Sequence, residues 1–435
     1  MSDPTRDPET SGTANTNKDP FRKPSRRAVV VGTAWAVPAV IAANAAPAWA
    51  ASPHDFVPCS SGHIYQTVGR GRFLSGSLLG TNLDTLASVN GIVVSNDGHG
   101  VVTPTAWGNT SGFSATPVSG DAYAYAAPLS ISALNAALNI GVGPISLPVN
   151  TPVGLVNQYG RAVQNGFSAG ASGAVNNNGV IQTDNNGAAW PDLATLDLKT
   201  LVSSVSGGLG TLVGGLTNLK LVIGAVAARA TLDACAATPA TRQYLVSYVK
   251  LVVGTGLLGA VISALGALLS GVTTITDPDN LLSINTTSGE LTIDLGALVQ
   301  NAYPGSYSNK LNGLAPNTAL LINDHVITTL TDALVAAVLS IIPGGVLYDV
   351  LRATVTGLLT PVVSLLSSLL GGLFSTTDGV VNIVLNAQNS GGPSDFPVTT
   401  GAYDVAALWL TVLPGVANGV NLYLARASVG PNPQV

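Results

Sequence analysis

Short apolar runs closed by Asn-Gly, Asp-Gly and Ser-Gly turns recur along this chain. That alternation leaves little room for anything but antiparallel strands. Asn90-Gly91 and Asp97-Gly98 flank Ile92-Val93-Val94, and Asn178-Gly179 and Asn186-Gly187 bracket another short run. Asn, Asp and Gly tolerate the positive φ that tight hairpins require. Leu291, Ile293 and Leu295 alternate with Thr292 and Asp294, the period of a half-buried strand. Ser288-Gly289 turns that strand back on residues 281–285, and Asp378-Gly379 precedes another at 380–385. Leu408, Leu410 and Val412 run into a turn at 414–419, from which Val420, Leu422 and Leu424 return. The expected fold is mainly β, with antiparallel, sandwich-like sheets.

Two regions depart from this pattern. Residues 324–372 have helical spacing. Asp324 is the expected N-cap of an apolar-periodic run ending at Ile341-Ile342, which Pro343-Gly344-Gly345 stops. A second helix follows from Val346, with a kink or break expected at Pro361, so the pair reads as an α-helical hairpin inserted in the β fold. Residues 251–276 carry no charge, and a helix, a buried strand and a membrane span all fit their length. Their Gly and Thr content favours a buried segment of a water-soluble core.

The first 50 residues read as a leader separate from a 51–435 domain. Arg22, Lys23, Arg26 and Arg27 precede an uncharged, mostly apolar stretch, and Ala48-Trp49-Ala50 is a small-x-small cleavage site before Ala51. The Arg26-Arg27 pair after a polar leader points to twin-arginine export. The apolar run is short for a span of ~20 residues and is broken by Pro38 and Pro47, so it reads as a cleaved signal rather than an anchor. The protein is expected outside the cytoplasm, extracellular or at the cell-envelope surface.

Lys and Arg number 17 and Asp and Glu 22 among 435 residues, against 46% hydrophobic residues. So few cations leave no basic stripe, which argues against nucleic-acid binding. The apolar content argues against intrinsic disorder. The two cysteines, Cys59 and Cys235, are expected to pair in an oxidising compartment.

Several motifs suggest chemistry. Gly254-Thr255-Gly256-Leu257-Leu258-Gly259 fits G-x-G-x-x-G after a strand-like run, and Asp277 lies where a ribose-binding acid would sit. The flanking hairpin turns argue against the parallel sheet such a site needs. Gly166-Phe167-Ser168-Ala169-Gly170 fits G-x-S-x-G, but the residues that follow read as strand and turn, not as the helix of a nucleophile elbow. His54, His63, His99 and His325 lack metal-ligand spacing. His325 and Asp332 lie seven apart on one helix. Asp277, Asp279 and Asn280 fit either an oxygen-ligand calcium loop or an ordinary turn. After the leader the one Glu is Glu290, so a carboxylate pair would have to be built from Asp. No catalytic, cofactor or metal residue is assigned on these grounds.

Four blocks, in order, carry a resemblance. Residues 311–321, LNGLAPNTALL, resemble a block of the choice-of-anchor G family of actinobacterial surface proteins. Gln158-Tyr159 with Ala171-Ser172-Gly173-Ala174-Val175, Leu291-Thr292-Ile293-Asp294-Leu295, and the closing 424–432 are similar to further blocks of that family. The resemblance implies an exported surface protein with no catalytic residues to carry over. The chain closes on Pro431-Asn432-Pro433-Gln434-Val435 without an LPxTG signal, an apolar span or a basic tail, so release or non-covalent retention is expected. The expected role is structural or adhesive, without cofactor or stable membrane insertion, and with cell-wall carbohydrate or surface proteins as the partners to consider. The alternative is a secreted hydrolase of wall polysaccharide or ester bonds, centred on Ser168 or an Asp pair.

Overall fold

A computed structural model describes residues 62–78, 80–85, 89–127, 129, 145–146, 156–183, 190, 192–202, 208–236, 240–265, 271–342, 348–374, 379–389, 401–414 and 419–435. The described residues all belong to one compact unit, Ala50–Val435. The leader at 1–50, Cys59, Asn186-Gly187 and Pro343-Gly344-Gly345 lie outside them. Strand outweighs helix, 42% to 25%, so the fold is mainly β as expected.

In chain order the strands begin with β1 (Thr67–Leu78), β2 (Thr81–Asn82), β3 (Gly91–Asn96), β4 (Val102–Trp107), β5 (Thr116–Val118), β6 (Asp121–Ala126) and β7 (Ile145–Ser146). Next come β8 (Asn157–Ala162), β9 (Phe167–Gly173), β10 (Ala194–Asp197), β11 (Asn218–Ile223), β12 (Val226–Asp233), β13 (Ala240–Val246) and β14 (Val249–Gly254). The last are β15 (Thr274–Thr276), β16 (Leu282–Asn285), β17 (Glu290–Asp294), β18 (Thr318–Ala319), β19 (Val381–Gln388), β20 (Tyr403–Val412) and β21 (Val420–Val429). Helices α1 (Leu198–Val202), α2 (Gly208–Gly214), α3 (Gly256–Leu265), α4 (Leu295–Ala302), α5 (Asp324–Ser340) and α6 (Tyr348–Phe374) lie between them.

These strands form three antiparallel sheets. The eight-stranded sheet runs β18-β19-β20-β21-β1-β3-β4, with β2 beside β1. The seven-stranded sheet runs β15-β16-β17-β14-β11-β10-β7, and the six-stranded sheet β13-β12-β9-β8-β6-β5.

The inner face of the eight-stranded sheet packs on both other sheets. Against the six-stranded sheet the approach is backbone to backbone. A Cβ at Gly69 would run into the Ala169 carbonyl, one at Gly71 into the Ala171 carbonyl, and one at Gly170 into the Arg70 carbonyl. The Gly-Arg-Gly of β1 and the Ala-Gly-Ala of β9 are therefore interlocked small-residue surfaces, closer than the usual ~10 Å between packed sheets. Further along the same face, Leu74, Leu410, Leu422 and Leu424 meet Ala194, Leu196 and Ile223 of the seven-stranded sheet. There, Leu196, Leu221, Leu251 and Ile293 stand opposite one another across four strands, one continuous apolar row.

The helices complete this core. In α6, Val355, Leu359, Val362, Leu366, Leu369 and Leu373 are buried. Its outward side carries Thr354, Thr356, Thr360, Ser364 and Ser368. Arg352–Phe374 is long and apolar enough to cross a membrane by length and composition. Its outward side is a polar stripe opposite the buried apolar one, which makes the helix amphipathic.

Three local expectations are corrected. The N-cap of α5 is Asn323, whose side chain accepts from the Val326 N–H, rather than Asp324, which becomes the first helical residue. Of the kink or break expected at Pro361 the break does not occur, since α6 runs through it as one helix of 27 residues. Leu295 starts α4 instead of ending a strand, because the Asp294 carboxylate accepts from the Ala297 N–H and caps a helix there.

Candidate functional site

The motifs that suggested chemistry are built into the framework. The glycine hexad does fall at a strand-to-helix junction, β14 into α3. Yet β14 is paired antiparallel with both β11 and β17, so the crevice of a parallel βαβ unit does not form. Gly254 is required because a Cβ there would stand 2.5 Å from the Thr217 hydroxyl. Asp277 is buried, and its carboxylate accepts from the Leu282 N–H at 2.7 Å and the Asp279 N–H at 3.0 Å. It holds the turn in which Asn280 takes φ 55°. Asp279 and Asp332 line a groove of about 340 Å³ beside it, where the Asn301 amide donates to Asp279. Among the described residues, no group of three or more His, Cys, Asp or Glu side chains is placed to hold a metal.

Ser168 lies within β9, paired on one side with β8 and on the other with β12. It is fully buried, and its hydroxyl accepts from the Asn432 amide at 3.0 Å. A nucleophile elbow needs the opposite: an oxygen exposed at a sharp turn. His325 Nε2 sits 3.2 Å from the Ala302 carbonyl and meets the Tyr303 ring edge-on. Asp332, about two turns further along α5, faces the groove instead.

Residues of three of the four blocks that carried the resemblance tie strands and sheets to one another. The Asn312 side chain accepts from the Val246 N–H at 2.8 Å and donates to the Val246 carbonyl at 2.9 Å. A primary amide can present an N–H donor beside a C=O acceptor as a peptide group does, so Asn312 stands in for a neighbouring strand at the edge of β13. Asn317 does the same for Gln388 at the end of β19, at 2.8 and 3.0 Å. Tyr244 of β13 donates to the Leu311 carbonyl and accepts from the Leu314 N–H, both at 2.9 Å. Burial pushes this phenol up to about 12. Gln158 accepts from the Phe73 N–H and donates to the Asn90 and Ala127 carbonyls. Ser172 reaches the carbonyls of both Arg72 and Arg426.

A different kind of surface occupies the outer face of the eight-stranded sheet. Arg72 is 1% exposed. It donates to the carbonyls of Leu74, Val89 and Leu83 and pairs with Asp84 at 2.6 Å. Arg426, 2% exposed, faces Asp404 at 3.6 Å. Burial lowers both guanidinium pKa values from the ordinary arginine range, and the neighbouring carboxylates oppose the shift. A ladder of planar groups crosses this face. Trp409 stacks on Tyr423 with centroids 5.7 Å apart, and the Arg426 guanidinium lies 5.9 Å from the Tyr423 ring and 4.8 Å from the Trp107 ring. Both tryptophans are half-buried, whereas Tyr423 and Arg426 are buried.

Positive φ at Asn386 and Ala425, 52° and 51°, resets the alternation of faces across these strands. Val384, Ala387, Ala406 and Tyr423 consequently gather into one small apolar cluster under Trp409. Composition hints at none of this, because the ladder depends on register between strands more than 300 residues apart. A family model matches residues 69–277, 264–344 and 342–430. The chain belongs to the family described as a domain of unknown function, DUF8394. The DUF8394 match thus runs from β1 through β21 and takes in all three sheets. No curated protein and no solved structure matches the chain.

Proposed function

We propose that this DUF8394 protein is exported and acts at the cell envelope or outside the cell by contact, as a structural or adhesion-type protein rather than a catalyst. The resemblance to choice-of-anchor G surface proteins belongs to that proposal, as does the Cys59–Cys235 bridge. The observation that carries it is the commitment of the candidate nucleophile. Ser168 is buried mid-strand and bonded to Asn432, so its hydroxyl serves sheet docking. The signal-like leader supplies the location. The bridge is supported by the meeting of Cys235 with the segment that follows Cys59 in sequence. Cys235 Sγ and the Tyr65 ring both lie against Gly166, and Tyr65 is only six residues beyond Cys59.

The test has two arms. Fractionating native cells should place the chain, lacking its first 50 residues, in the medium or envelope fraction. A cytoplasmic, unprocessed chain refutes the proposal. The purified mature chain and its Ser168→Ala variant are then assayed on polysaccharide and ester substrates. A turnover that Ser168→Ala abolishes would establish the hydrolase instead.

A further inference from the structure

We infer that the outer face of the eight-stranded sheet, at the end where β20 leads into β21, binds a neutral polysaccharide. This deepens the contact role proposed above and rests on it.

One row of side chains and the tryptophan of the next make the surface, since Val384, Tyr423 and Ser75 in that second row are buried. Asn382, Thr411, Asn421, Ser77 and Asn82 stand directly opposite one another on β19, β20, β21, β1 and β2. One step along the same strands lies the row Val384, Trp409, Tyr423 and Ser75. Side chains two apart on a strand, and those opposite across a ladder, point to the same face. The intervening Ile383, Leu410 and Leu422 are buried on the other side, so these rows face outward. Asn382 and Asn82 are exposed, and Thr411, Asn421, Ser77 and Trp409 are half-buried.

The chemistry of the two rows is complementary to a sugar chain. A sugar ring has hydroxyls around its rim and a patch of C–H groups on its face. Trp409 supplies a flat apolar surface for that patch. Its ring is backed by buried Tyr423, and its indole N–H donates to Asn421 Oδ1 at 2.7 Å, which fixes its orientation. A pre-set aromatic ring loses little freedom on binding. The hydroxyls of Thr411 and Ser77 and the amide of Asn382 make no hydrogen bond to any described residue, and each can donate and accept. With strands 4.7–4.9 Å apart, the five-residue row extends about 19 Å, several sugar rings in length.

Charge decides between polymers. Neither row contains a charged side chain. The nearest cations, Arg72 and Arg426, are buried and face Asp84 and Asp404. An anionic polymer would find no exposed countercharge here. A protein partner would be expected to seek a more apolar patch centre than this Asn-Thr-Ser row.

The experiment uses the purified mature chain against cellulose, β-1,3-glucan, α-mannan and starch, with polygalacturonate as an anionic comparison. Binding is read by sedimentation with insoluble polymer, retardation in polysaccharide-containing gels and tryptophan fluorescence. At least one neutral polymer should bind. Trp409→Ala should weaken binding at least tenfold, and Asn382→Ala and Thr411→Val about threefold or more each. The last two positions lie on the surface and keep the test decisive if Trp409→Ala misfolds. Binding to none of the neutral polymers, to polygalacturonate alone, or undiminished in Asn382→Ala and Thr411→Val overturns the inference. Envelope retention without polysaccharide binding would refute this site and leave the contact role standing. A cytoplasmic chain would remove that role.

Discussion

At the scale of single residues, two buried alanines in β21 illustrate how backbone conformation outweighs chemical identity. Ala425 and Ala427 are both fully buried, but only Ala425 has positive φ, at 51°. For an L-residue that conformation costs roughly 1–2 kcal/mol, and glycine escapes the cost. Replacing a buried alanine by glycine otherwise loses roughly 0.8 kcal/mol for the methyl and 0.5–1 kcal/mol in backbone entropy. Ala425→Gly should therefore change unfolding stability by less than about 1 kcal/mol, whereas Ala427→Gly should cost about 1.5 kcal/mol. Urea denaturation of the two variants gives the comparison. Equal destabilisation by both would mean that Ala425 is unstrained. The sequence offers no warning here, since both sit in one Leu-Ala-Arg-Ala-Ser run and the reset of faces arises from pairing.

At the scale of elements, many strands could be read directly. The alternation at 291–293, the Ser288-Gly289 turn and the β20–β21 pairing follow the expected registers, because a two-residue period and a turn residue are local properties. Helix ends were less legible. Asn323 and Asp324 are adjacent and equally suited to capping, and only the extended backbone of Asn323 selects it. The short helices α1, α2 and α4 gave too little periodicity to be expected.

The joint between β13 and the 311–318 segment gives an element-scale prediction. Tyr244 holds that joint as a neutral phenol, raised by burial from an ordinary value near 10 to about 12. Folding favours the neutral form. Its contribution is therefore whole below pH 10 and is lost as pH rises towards about 12. Stability followed by circular dichroism should fall across that window, and Tyr244→Phe, which cannot ionise, should flatten the fall while lowering stability at pH 7. Tyr159, also raised to about 12, contributes in the same window, so a residual slope is expected. An unchanged slope in Tyr244→Phe would show that this phenol is not the alkaline trigger.

At the scale of the whole molecule, a bridge from Cys59 to Cys235 would join the start of the mature chain to the corner where β12 turns into β13. Closing so long a loop restricts the unfolded chain by up to about 5 kcal/mol in the entropy model. Non-reducing peptide mapping of exported protein should recover the 59–235 linked pair, and reduction should lower the melting temperature. Two freely alkylated thiols in the native exported protein would count against the bridge and against an oxidising destination.

Strand periods, turn residues and the near absence of charge were enough to indicate a mainly β protein with a helical pair, because each acts over a few neighbouring residues. The reading of the first 50 residues as a leader rests on charge and apolar length alone and belongs to the proposed function. Tertiary structure decided what the motifs are for. The glycine hexad does join strand to helix, but its strand has antiparallel neighbours, and Ser168 is sealed inside a sheet. The outer surface of Trp409, Asn382, Thr411, Asn421 and Ser77 has no counterpart in any local pattern. Four of its members come from β19, β20 and β21, but Ser77 of β1 lies some 300 residues away, and hydrogen-bonded register places it beside Asn421.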